Sequence, residues 1–157
     1  LAAHGEPFRI LFEDDHLIAL DKPSGLAVHG GSGISQGVIE RLRASRPDTT
    51  TLELVHRLDR ETSGVLLVAK RRSALRQIQD QFRGRETGKT YLALVKGQWP
   101  SNKRVVDIPL YKYQALTPSG ETERRVQVVG ESDPRGQRAI SLVRVARLVG
   151  PHSLLEV

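Results

Sequence analysis

The run Val65-Leu66-Leu67-Val68-Ala69 is apolar at every position and only as long as a strand. A strand of that kind needs cover on both faces, which predicts a sheet inside a layered domain. Other short apolar runs surround it, each broken by turn formers. Residues 8–12 and 17–20 flank the acidic cluster Glu13-Asp14-Asp15 and predict a β-hairpin, which Lys22-Pro23-Ser24-Gly25 ends. Residues 52–55 read as a short strand leading into His56-Arg57-Leu58-Asp59. From Lys89 onward, strands are predicted at 90–95, 105–108, 124–129, 139–148 and 153–157, with turns at 119–121 and 133–136. Helical spacing occurs twice. Val38, Ile39 and Leu42 share one face after Ser35 as N-cap, with Pro47 marking the end; Leu75, Ile78 and Phe82 share another between Ser73 as N-cap and Gly84. The expected architecture is one α+β domain over residues 1–157, with a mixed, mostly antiparallel sheet and flanking helices. No fixed-period repeat or low-complexity linker interrupts it.

Composition narrows the function. Twenty-four Lys and Arg against 18 Asp and Glu give a formal charge of +6 and a pI near 10.1, a balance that attracts polyanions, nucleic acid first among them. The absence of cysteine removes disulfides, thiolate metal sites and cysteine nucleophiles, and favours a reducing compartment such as the cytoplasm. Neither a signal-peptide pattern nor a membrane-length apolar run is present, so no membrane partner is expected. His4, His16 and His152 lack metal-ligand spacing, and no metal site is expected.

Asp59 stands between Arg57 and Arg60 and close to His56, Thr62 and Ser63, in a turn leaving one strand and entering another. Cations and hydroxyl donors favour an ionised carboxylate, which serves as nucleophile or base, while arginines bind phosphate. The residues alone also fit an ion-paired surface turn. Gly64 would admit a substrate closely.

The run His56-Arg57-Leu58-Asp59-Arg60-Glu61-Thr62-Ser63-Gly64-Val65-Leu66-Leu67-Val68-Ala69-Lys70 resembles the signature of the RluA family of pseudouridine synthases. Two further segments resemble the same family in order: Asp21-Lys22-Pro23-Ser24-Gly25-Leu26-Ala27-Val28-His29 before it and Lys89-Thr90-Tyr91-Leu92-Ala93-Leu94-Val95-Lys96-Gly97 after it. The wording His29-Gly30-Gly31-Ser32-Gly33, with Val38 to Arg43 and Arg46-Pro47, is similar to the RluC branch, which acts on large-subunit ribosomal RNA. The resemblance implies isomerisation of uridine to pseudouridine, with Asp59 as the essential carboxylate and Tyr91 against the target uracil. Arg57 then occupies the space left by the flipped nucleotide, since chemistry at a stacked, paired base requires flipping. Tyr91 alone also reads as an ordinary sheet-packing aromatic. No metal or redox cofactor, no obligate protein partner and a monomeric state go with this reading.

His29 and its glycines lack the Lys-Ser or Lys-Thr ending of a P-loop; they read either as an RNA-facing loop or as a plain connection. Lys70-Arg71-Arg72, Arg76, Arg83 and Arg85 fit an RNA-tracking surface and a solvated helix face equally; Arg57 and Arg60 are preferred as RNA contacts because they adjoin Asp59. The resemblance also implies an amino-terminal RNA-binding domain, and a later segment whose arginine pairs with the catalytic aspartate. Neither is in the 157 residues, so a fragment of the catalytic domain is expected. Two rivals remain open: a non-catalytic RNA-binding module, and a nucleosidase or glycosidase, for which Glu53 and Glu61 make no clear carboxylate pair with Asp59.

Overall fold

A computed structural model describes residues 7–31, 36–116 and 122–157. Its contacts divide the chain into two compact units, Leu1–Thr87 and Gly88–Val157.

The first unit opens with the expected hairpin, β1 (Arg9–Glu13) and β2 (Leu17–Lys22). The Asp14 carboxylate shapes its turn by accepting the His16 and Leu17 N–H groups at 2.7 and 2.8 Å. Helix α1 (Val38–Ser45) follows, then β3 (Glu53–Leu54), β4 (Gly64–Ala69) and helix α2 (Arg72–Arg83). The strands form one antiparallel sheet in the order β1-β2-β4-β3. Ile18, Leu20, Leu66 and Val68 project from its central strands into a core with Val38, Ile39 and Leu42 of α1, Val28, Leu52 and Leu58. Each large side chain removed from water there contributes about 1.5–3 kcal/mol.

The apolar run 65–69 is covered less completely than its composition predicts. Leu66, Val68 and Ala69 are buried, Leu67 is half-covered and Val65 is 55% exposed. Leu75, Ile78 and Phe82 do share a face of α2, yet stay half-exposed, and only Ala74 of that helix is buried. The caps differ too. Gly37, not Ser35, is the N-cap of α1, and Ser35 lies outside the described residues. Arg71 precedes α2, placing Ser73 inside the helix, while Gly84 closes it as expected.

The second unit is antiparallel sheet: β5 (Leu92–Lys96), β6 (Val105–Asp107), β7 (Leu110–Leu116), β8 (Thr122–Val128), β9 (Ile140–Leu142), β10 (Arg144–Val149) and β11 (His152–Glu156). They pair as β10-β11-β5, β6-β9 and β7-β8. Sequence patterning misses β7 altogether. It also merges β9 and β10, which separate at the buried Val143, whose N–H donates to the Arg104 carbonyl at 2.8 Å. The turn at 133–136 is present, closed by Gly136 N–H to the Asp133 carbonyl at 3.0 Å, whereas that at 119–121 lies outside the described residues. No helix is long and apolar enough to cross a membrane among the described residues.

Candidate active site

Asp59 sits in the loop from β3 to β4, with its side chain exposed. Three attachments hold that loop. Leu58 is buried in the core beside it. Its own backbone turns tightly, the Thr62 N–H donating to the Asp59 carbonyl at 3.1 Å. The segment 22–26 then grips it from the far side. The Arg60 carbonyl accepts from Gly25 N–H at 2.8 Å and from the Lys22 ammonium at 3.0 Å, while Ser24 Oγ donates to the Glu61 carbonyl at 2.8 Å.

Lys22 has no solvent-exposed surface. Its other two hydrogen bonds go to the carbonyls of Pro23 at 2.9 Å and Leu26 at 2.7 Å, so its three donors meet three backbone acceptors. Burial pushes the ammonium below its ordinary value, against the raising fields of Glu61 and Asp59. A fixed cation therefore lies beneath the loop that presents Asp59.

Two glycines make this geometry. Gly25 has φ +85° and Gly64 has φ +126°, backbone conformations that side-chain-bearing residues rarely adopt. At Gly64 an added methyl group would meet nothing within 4 Å, so the position needs glycine for its backbone.

His56 is a positioning residue in this arrangement. Its Nε2 accepts the Leu67 N–H of β4 at 3.1 Å, and its ring stacks on Phe82 of α2 at 5.1 Å. Acceptance at Nε2 puts the proton of the neutral ring on Nδ1.

Of the arginines on either side of Asp59, only Arg60 makes a hydrogen bond that the structure defines. Arg60 Nε donates to the Gly25 carbonyl at 3.0 Å and lies 3.7 Å from Glu61. Arg57 is exposed, and no ion pair within 4 Å joins either arginine to Asp59 among the described residues. His29 is also exposed, with Nδ1 2.7 Å from the Gly30 carbonyl. Its loop is closed by Glu40, whose carboxylate accepts the N–H groups of Gly30 at 3.0 Å and Gly37 at 2.8 Å. Burial raises the Glu40 carboxyl, and these N–H groups outweigh it, leaving it below the usual carboxylate value. Tyr91 belongs to the second unit. It extends the β5–β11 ladder through reciprocal hydrogen bonds with Val157 at 2.8 and 2.9 Å, and its side chain is 41% exposed. No group of three or more His, Asp or Glu side chains converges for a metal among the described residues.

Sequence reasoning missed Lys22 and Glu40 as parts of this region. The Lys-Pro resemblance marks Lys22 without indicating its contact with a carbonyl 38 residues away.

The model of the RNA pseudouridylate synthase family matches residues 16–157, spanning the Lys22 grip, the Asp59 loop and Tyr91. The chain belongs to that family. The ribosomal large subunit pseudouridine synthases C of Salmonella typhi and Escherichia coli K12 are each 59% identical to it over 129 residues, 82% of this chain. The chain corresponds to 39% of the length of these relatives. It is thus RluA-family in type and RluC-like in sequence. Human RNA pseudouridylate synthase domain containing 4 shares the fold with a TM-score of 0.75 at 26% identity, covering 98% of this chain and 59% of that one. Human RNA pseudouridylate synthase domain containing 1 gives 0.74 at 18% identity over 99% and 60%.

Proposed function

We propose that residues 1–157 form part of the catalytic domain of a pseudouridine synthase acting on uridines of large-subunit (23S) ribosomal RNA. The observation that carries this reading is the exposed Asp59 carboxylate on a loop fixed by Leu58 and Lys22, inside a family match that spans nearly the whole chain. The names of the similar bacterial synthases support the substrate class.

The reaction breaks the C1′–N1 bond, turns the uracil and joins C5 to C1′; C5 releases a proton and N1 regains one, so the product is an isomer. Asp59 serves either by attacking C1′ or by removing a ribose proton, and both routes call on an ionised carboxylate. A rigid loop with a buried cation below it keeps that group oriented, while the exposed side leaves room for a flipped nucleotide. Tyr91 packs against the uracil, and Arg57, Arg60 and His29 contact the RNA. An exposed guanidinium such as Arg57 suits the space vacated by the flipped base, because it stacks and binds phosphate at once. No cofactor enters either route. The protein works as a monomer in the cytoplasm, where its ribosomal substrate is made.

The test uses RNA labelled with tritium at uracil C5. Release of tritium to water without free uracil supports isomerisation. Release of free uracil marks a glycosidase, and RNA binding with neither product marks a non-catalytic module.

A further inference from the structure

The positive charge of the chain is unevenly placed. Residues 88–157 carry eleven Lys and Arg against six Asp and Glu, whereas residues 1–87 carry thirteen against twelve. Nearly all of the net charge therefore belongs to the second unit, although Asp59 lies in the first.

Within the second unit, β7 and β8 form a two-stranded antiparallel ribbon. Tyr111 and Tyr113, two residues apart, project from the same face, and their rings stack at 5.9 Å with 14° between planes. Arg135, from the 133–136 turn, holds its guanidinium carbon 4.7 Å from the Tyr111 ring centre. Asp133 fixes that guanidinium through hydrogen bonds of 3.0 and 2.7 Å, so Arg135 is committed to the ring. Across the ribbon, Arg125 faces Tyr113 and Gln127 faces Tyr111, both exposed. Among the described residues of this unit the buried ones are Val143, Ser153 and Leu155, whereas both tyrosines remain half-exposed.

Aligned, half-exposed aromatic rings beside exposed guanidinium and amide groups, on the unit that holds the excess positive charge, match the chemistry of unpaired nucleotides. Such bases offer free faces to stack on rings, and their phosphates seek cations. Duplex RNA hides those faces within its own stack. We infer that this face of the β7–β8 ribbon is a second RNA contact surface, where the face of Tyr113 turned away from Tyr111 stacks an unpaired base and the excess positive charge of the unit attracts the adjoining backbone. The inference rests on the RNA substrate proposed above and extends its contacts to the second unit.

The experiment uses the Asp59→Asn protein, so that turnover does not alter the RNA. A large-subunit ribosomal RNA fragment substituted with 5-iodouridine is bound, irradiated and digested, and crosslinked peptides are identified by mass spectrometry. Affinity is measured in parallel for Tyr113→Val, which keeps a good strand former, and for Tyr113→Phe, which keeps the ring. Crosslinks fall on Tyr113. Tyr113→Val weakens binding about 5- to 150-fold, the cost of one stacked base, while Tyr113→Phe stays within about twofold. Crosslinks confined to residues outside the ribbon, Tyr113→Val binding like its parent, or tighter binding to a duplex than to its single strand would each overturn the inference. Failure of the parent to bind the RNA at all would overturn the proposed substrate as well, which separates the two failures.

Discussion

The Lys22 ammonium donates to the carbonyl of Arg60 at 3.0 Å, one residue beyond Asp59. The same oxygen receives the Gly25 N–H at 2.8 Å, so the 22–26 segment and the aspartate loop meet at a single backbone atom. Lys22→Met keeps the side-chain length and removes the donor. It leaves the Pro23 and Leu26 carbonyls without that partner in a buried site, and stability should fall by about 2–4 kcal/mol. Urea unfolding reads the change. Because the loop loses its anchor, tritium release at saturating RNA should fall as well, in protein kept folded by low temperature.

Glu13 makes a pH-dependent contribution at the opposite end of β4. Its Oε1 accepts from Arg46 at 2.6 Å and from Lys70 at 2.8 Å. The Arg46 hydrogen bond lowers its carboxyl most, burial opposes this and Lys70 adds to the lowering, bringing it from 4.5 to about 2. Since the folded value lies below the unfolded one, the native state binds fewer protons in that interval. The stabilisation is complete above about pH 4.5 and declines as pH falls toward 2. Partial solvent exposure limits it to about 1 kcal/mol. Glu13→Gln should flatten the loss of urea stability between about pH 4.5 and pH 3; parallel losses in both proteins would contradict the assignment.

Gly37 is constrained by contact rather than conformation. A methyl group there would lie 2.6 Å from the His29 backbone, which has to shift to admit it. Gly37→Ala should cost about 1–3 kcal/mol, and it should speed amide exchange at Gly30 by loosening the Glu40 clasp. Gly88→Ala, where the added atom meets nothing within 4 Å, should leave the urea midpoint nearly unchanged.

Much of the first unit was legible because its signals are local. The acidic turn sets the β1–β2 hairpin, and Val38, Ile39 and Leu42 fall on one face of α1. Strand β7 escaped detection because Leu110, Lys112, Gln114 and Leu116 on one face alternate with Tyr111, Tyr113 and Ala115 on the other, giving no clear apolar-polar contrast. Motif resemblance identified the Asp59 loop, yet the grip upon it comes from residues more than 30 positions away. The direction of Arg60 was likewise invisible: adjacency suggests a partner for Asp59, whereas the folded chain offers the Gly25 carbonyl.

The central claim is that Asp59 performs the chemistry. Parent and Asp59→Asn proteins, shown by urea unfolding to be equally folded, are incubated with 23S ribosomal RNA transcript. Pseudouridines are then mapped by carbodiimide modification and primer extension. The parent should give discrete primer-extension stops, and Asp59→Asn should lose them, its rate falling by at least about 10³-fold while RNA binding persists. Stops formed by Asp59→Asn at the parental rate would contradict the assignment.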